Sequence, residues 1–239
     1  MIRLLVVFAL AMLASCLSGL DARAQDVKTY IPEQAKEHLP TLKAQAREVW
    51  PDFFAPNYFA ALIEHESCIS LKHSKCWNAK SRLKSDREEG AGLGQLTRAF
   101  KSDGSTRFDA LEDAKRLDKK GLNDLRWETV YSRPDLQMRV LILMTRANWN
   151  RIDKLVPDQE GKLAMTDAAY NGGVGGLLNE RRSCSLRGDC DPNKWFGNVE
   201  KTCLKSTKPL YAGRSACDIN RHHVEDVLHT RMPKYKGKV

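Results

Sequence analysis

Period-2 alternation of apolar and polar residues is almost absent from this chain, which excludes an all-β sandwich or barrel as its main architecture. No segment repeats and no tract is of low complexity, so solenoids and long unstructured linkers are excluded as well. There is no C-x-x-C pair of the kind that opens most structural zinc sites. The basic residues are scattered and not interleaved with aromatics, as a stacking platform for nucleic-acid bases requires. No spacing supports Ser–His or Cys–His nucleophilic chemistry.

Long apolar runs are scarce too. The longest, from Leu4 to about Leu20, is diluted by Ser15, Cys16, Ser18 and Gly19 and falls short of the roughly 20 apolar residues that a spanning helix needs. Arg3 precedes it and Ala22-Arg23-Ala24 follows, the layout of a secretory signal with cleavage expected after Ala24. Leu13-Ala14-Ser15-Cys16 also resembles a lipobox, in which Cys16 would become a lipidated N-terminus. Either processing places the mature chain outside the cytoplasm, periplasmic or secreted.

What the chain has fits that compartment. Of seven cysteines, six lie beyond the signal: Cys68, Cys76, Cys184, Cys190, Cys203 and Cys217. An even set in an exported chain reads as disulfides. Six cysteines allow about 15 pairings, and the sequence separations suggest nearest neighbours, 68–76, 184–190 and 203–217. A zinc site from Cys184, Cys190, His222 and His223 is the alternative. If Cys68 pairs with Cys76, their Cα atoms must come within about 7 Å, whereas eight helical residues would hold them about 12 Å apart. The helix bearing Cys68 must therefore end between them, near Ser70. The formal charge is +9, and removing residues 1–24, which carry Arg3, Asp21 and Arg23, leaves +8. Such a balance favours a polyanionic partner. In an exported chain that means a cell-wall polymer or an anionic lipid surface, not nucleic acid.

Along the chain, residues 30–50 are rich in Ala, Glu, Lys and Gln, and Pro40 predicts one kinked helix or two short ones. Pro56 and Asn57 begin a helix through Glu66. From Lys72 to Gly90 the text is polar and loop-like, with room for a small hairpin. GAGLGQLTRAF reads as a glycine turn and a short helical piece, and RFDALEDAKRLD as an amphipathic helix. In residues 135–149, Val140 to Met144 are apolar on consecutive positions, so that helix is buried all round. AMTDAAYNGGVGGLLNERR reads as helix, turn and helix, and a last helix lies near Asn220–Arg231, with His222 and His223 as surface residues. The fold class is mainly α.

Three short texts then stand out in order: Glu66-Ser67 at a helix end, Gly92-Leu93-Gly94-Gln95 at a turn, and Ala169-Tyr170-Asn171. Together they resemble the E-S, G-L-x-Q and A-Y-N motifs of the lysozyme-like lytic transglycosylases, and the likeness spans about residues 53–231. It implies a lysozyme-like α-helical domain with loop-rich, disulfide-bearing insertions around residues 68–90 and 184–217. It divides the chain into the signal, 1–24, an N-terminal helical segment, 25–52, and a catalytic domain, 53–239. It also implies cleavage of peptidoglycan glycan strands by a monomer that needs no cofactor or metal.

In this resemblance Glu66 is the catalytic acid and base, and Ser67, Gln95, Tyr170 and Asn171 bind substrate. Tyr170 would bond the carboxyl, and Asn171 or Gln95 the sugar's N-acetyl or lactyl oxygens. Residues two apart on a helix point about 200° apart, so only one of Glu64 and Glu66 can serve a cleft, and the E-S motif selects Glu66. A glutamate that donates a proton near neutral pH needs apolar surroundings; Leu62, Ile63, Leu93 and Tyr170 are expected to supply them. Trp77, carried on the loop after Cys76, is a candidate for stacking on a sugar. His65 points away from Glu66, so a charge relay through it is a poor reading.

Goose-type lysozymes, similar to this family, carry an aspartate two residues after the motif glutamine, where this chain has Thr97. That departure favours a mechanism with one acid. Asp86, Glu88 and Glu89 are candidates for a second carboxylate, which a peptidoglycan hydrolase would need. An inactive glycan-binding component of an envelope machine, with protein partners there, is the alternative outside enzymology.

Overall fold

The computed structural model describes residues 27–152 and 156–239, so the expected signal, its cleavage point and Cys16 lie outside the described residues. Helices dominate. Helix α1 (Glu33–Val49) runs unbroken through Pro40. Proline removes one backbone bond and crowds the preceding turn, but Pro40 faces solvent, while Ala35, Leu39, Leu42, Ala46 and Val49 bury one stripe that holds the helix down. Helix α2 (Asn57–Ser67) starts just after Pro56, as read, and is buried from Tyr58 to Glu64.

The sheet is a four-stranded antiparallel meander of β1 (Arg82–Lys84), β2 (Glu88–Ala91), β3 (Leu96–Phe100) and β4 (Thr106–Asp109). Two expectations are corrected here. Leu96–Phe100 is a strand and not a helical piece: Gly90 and Ala91 stand opposite Thr97 and Leu96, so the glycine turn closes a hairpin. The amphipathic helix, α3 (Ala110–Leu117), begins three residues later than Arg107, because the Asp109 side chain accepts from the N–H groups of Leu111 and Glu112. That N-cap satisfies donors that the helix itself cannot.

Helix α4 (Pro134–Arg151) is the central element. Leu136, Met138 and Val140–Leu143 are buried as the apolar run predicted, and it touches α1, α3, β3 and α5 (Gln159–Gly172). Gly173, at φ +81°, ends α5, and α6 (Val174–Ser185) follows, the expected helix, turn and helix. A small hairpin, β5 (Pro209–Tyr211) with β6 (Arg214–Ser215), leads into α7 (Ala216–Glu225). The chain then continues as a π-helix, Asp226–Arg231, and a 3₁₀ turn, Met232–Tyr235, both packed on α2. The core is continuous from Ala35 in α1 to Tyr235.

All three neighbour disulfides are present: Cys68–Cys76, Cys184–Cys190 and Cys203–Cys217. Helix α2 ends at Ser67 with Cys68 as its C-cap, three residues ahead of the expected Ser70 and before the first cysteine, not between the two. Such bridges fit an oxidising compartment. No described helix is long and apolar enough to cross a membrane.

Candidate functional site

The two glutamates of α2 lead to different places. Glu64 is fully buried, and its carboxylate accepts from Arg231 Nη1 at 2.7 Å, Lys234 Nζ at 2.6 Å and Tyr235 Oη at 2.5 Å. Burial together with the nearby Glu64 carboxylate pushes the Tyr235 phenol well above its ordinary value. Glu66 retains 18% of its side chain exposed, and its Oε1 lies 2.9 Å from Nε2 of His223.

His223 is the residue that the sequence reading misplaced. It is buried, not on the surface. Its Nδ1 stands 2.6 Å from Asp167 Oδ2, and the Tyr58 hydroxyl donates to Asp167 Oδ1 at 2.8 Å. Asp167 and Tyr58 are both fully buried. Burial works against a charge on His223, but Asp167 and Glu66 outweigh it and raise the imidazole to about 10. A signal for this was present. Asn220, His223, Val224 and Val227 recur at helical spacing and are all buried, and Asp167 is the lone charge in the buried stretch Leu163–Ala169 of α5.

The glycine turn is shaped by contacts rather than by flexibility. Gly92 sits at φ +66°, and a Cβ there would meet the Gln137 side chain at 2.0 Å. Gln137, buried on α4, accepts from Leu93 N–H at 2.8 Å and donates to the carbonyls of Ala79 and Val130. Gln95, at φ +44°, folds back to donate from Nε2 to the Gly92 carbonyl at 2.9 Å. Tyr170 closes the arrangement from α5, its hydroxyl donating to the Gly94 carbonyl at 2.8 Å.

Beside this turn lies a cleft of about 660 Å³, lined among others by Gln95, Thr97, Tyr170 and Asn171. Glu66 is not in its lining; burial, then the Glu66 and Asp167 charges, raise the Tyr170 phenol well above its ordinary value. Tyr170 spends its hydroxyl on Gly94 in place of the expected bond to the Glu66 carboxyl. Leu62, Ile63 and Leu93 are fully buried. Asn171 is exposed, its side-chain oxygen accepting from Asn220 Nδ2 at 2.9 Å.

Several sequence candidates have other roles. Trp77 is 1% exposed, its ring facing His38 and Tyr235, and cannot stack on a sugar. Ser67 is buried; its hydroxyl donates to the Ile63 carbonyl and accepts from Trp77 N–H, so it ties the end of α2 to the following loop instead of meeting a substrate. Glu89 is buried and bound by Arg82, Arg98 and Tyr131. Burial alone would raise its carboxyl, but those three partners hold it below the usual range. Asp86 lies exposed in the β1–β2 turn, outside the cleft lining, whereas Glu88 lines the cleft. The zinc alternative is ruled out because Cys184 and Cys190 are bonded to each other and His223 is held by two carboxylates. No protein-family model and no curated protein sequence matches this chain.

Proposed function

We propose that the chain is a peptidoglycan lytic transglycosylase on a lysozyme-like helical domain, cleaving the β-1,4 bond between N-acetylmuramic acid and N-acetylglucosamine. The observation that carries the reading is convergence. Of three motifs separated by up to 105 positions, two supply Gln95, Tyr170 and Asn171 to one cleft, and the charge of Glu66, which does not line it, acts on the Tyr170 phenol. An accessible carboxyl beside an open cleft suits general acid–base work, and the basic balance of the chain suits an acidic wall polymer.

In this mechanism Glu66 gives its proton to the glycosidic oxygen while the C1–O bond breaks and positive charge develops at C1. The C6 hydroxyl oxygen of the same sugar then bonds to C1, and its proton passes to the Glu66 carboxylate. The product is a 1,6-anhydro sugar, no water is consumed, and one carboxyl suffices. Gln95 and Asn171 present amide groups to the cleft that can bind the N-acetyl or lactyl oxygens.

The test is digestion of purified peptidoglycan by the mature protein, with products identified by mass spectrometry. Anhydro-muropeptides are expected, and Glu66→Gln should lower their release by about 10²–10⁴, the usual worth of general acid–base catalysis. A hydrolase is the second reading, favoured by the exposed carboxylate of Glu88 in the cleft lining. Products ending in reducing muramic acid would select it. Binding of the polymer with no release of fragments would instead select an inactive envelope component.

A further inference from the structure

A glutamate has two chemically equivalent oxygens and a flexible stem, yet only one oxygen can face a glycosidic bond. We infer that His223 is a positioning residue for the reaction at Glu66: its Nε2–H holds Oε1, leaving Oε2 to give and take back the proton, while Asp167 and Tyr58 fix the imidazole from behind. The inference rests on the transglycosylase reading of Glu66.

The geometry has three links, Glu66 Oε1 to His223 Nε2 at 2.9 Å, His223 Nδ1 to Asp167 Oδ2 at 2.6 Å, and Tyr58 Oη to Asp167 Oδ1 at 2.8 Å. Tyr58 and Glu66 both belong to α2, so the links form a clamp that leaves α2, crosses α7 and α5, and returns to α2 about 12 Å away. Each ring nitrogen meets an accepting carboxyl oxygen. A neutral imidazole donates from one nitrogen only, whereas the imidazolium donates from both. The pairing therefore selects the charged form, in keeping with the raised affinity of His223 for its proton.

The other groups around His223 are accounted for. From α2, His65 stands edge-on at 4.3 Å between ring centroids, and its own Nδ1 is engaged by Asp226. Asp226 is also bound by Arg231, and although burial opposes its charge, His65 and Arg231 hold it well below the usual carboxylate range. On its own helix, the His222 ring lies beside His65, and burial lowers its affinity for a proton. Glu66 is then the one accessible acid in the cluster. The proton leaves Oε2 for the glycosidic oxygen and returns to Oε2 from the C6 hydroxyl, and His223 keeps both of its protons throughout.

Two substitutions and one spectrum test this. His223→Gln keeps an N–H donor of similar reach, and His223→Leu removes it. On soluble glycan strands, kcat should fall about 10-fold in the first and on the order of 10² or more in the second, the scale of a misplaced catalytic group. KM should stay within about 2-fold, because His223 lies buried behind Glu66. Partial rescue by Gln over Leu, at matched folded fraction, separates aim from loss of fold.

Nitrogen-15 NMR of the imidazole gives a readout free of activity. His223 should carry two N–H protons at neutral pH and titrate at about 10, and Glu66→Gln should lower that midpoint. Wild-type kcat in His223→Leu, or a neutral His223 at pH 7 indifferent to Glu66→Gln, overturns the inference while the transglycosylase reading stands. Wild-type protein that releases no anhydro product overturns that reading instead, and with it the role of His223 in this reaction.

Discussion

Glu64 and Glu66 stand two positions apart in one helix and do opposite things. Glu66 keeps part of its surface in solvent, while Glu64 is enclosed by Arg231, Lys234 and Tyr235. On sequence grounds Glu64→Gln should retain most activity, since its side chain points to another face. The structure adds a cost in stability: Lys234 loses its carboxylate partner and Arg231 loses one of two, keeping Asp226, and breaking a buried ion pair is worth about 3–5 kcal/mol. Glu64→Gln is therefore expected to lower the denaturant midpoint sharply while its folded fraction cleaves peptidoglycan at nearly the wild-type rate. Activity lost at full stability would mean that Glu64 belongs to the site. That a glutamate stood on an otherwise apolar helix was plain in the text, but its partners, some 170 positions on, were not.

At the level of elements, the Gly90–Gln95 turn shows how a loop is set by its neighbours. Gly92 takes a left-handed φ and lies against Gln137, so Gly92→Ala combines backbone strain of about 1–2 kcal/mol with overpacking of about 1–3 kcal/mol. We expect a lowered melting temperature and a fall in cleavage beyond what the loss of folded protein explains, because the turn carries Gln95. Unchanged melting would show that Gln137 yields without cost. The turn was legible as a turn, but Leu96–Phe100 was not legible as a strand. Five residues are too few for either period to declare itself, and the pairing with Glu88–Ala91 on one side and Thr106–Asp109 on the other decides the matter. Helix α7 is a similar case: it was legible as a helix, but His223 was read as a surface residue, and only the packing of α7 on α5 turns that face inward.

Across the whole molecule the excess of positive charge should assist capture of an acidic wall. Exposed charges are screened beyond about 8–10 Å at physiological salt, so sedimentation with purified peptidoglycan should weaken as sodium chloride is raised from about 50 to 500 mM. Binding indifferent to salt would leave recognition to the cleft alone.

By itself the sequence determined the mainly helical class, the buried central helix, the neighbour disulfides and two short texts, Gly92–Gln95 and Ala169–Asn171, that border one cleft. Each depends on spacings within a segment, and helical period and loop closure act at that range. Only the tertiary structure decided that Trp77 and Ser67 are buried supports, that Glu89 is neutralised by arginines from its own sheet, and that His223 stands between Glu66 and Asp167. Those outcomes turn on partners up to 158 positions apart. Whether a polar side chain meets solvent, a substrate or a buried counter-charge is settled by which elements pack together, a matter that no local pattern encodes.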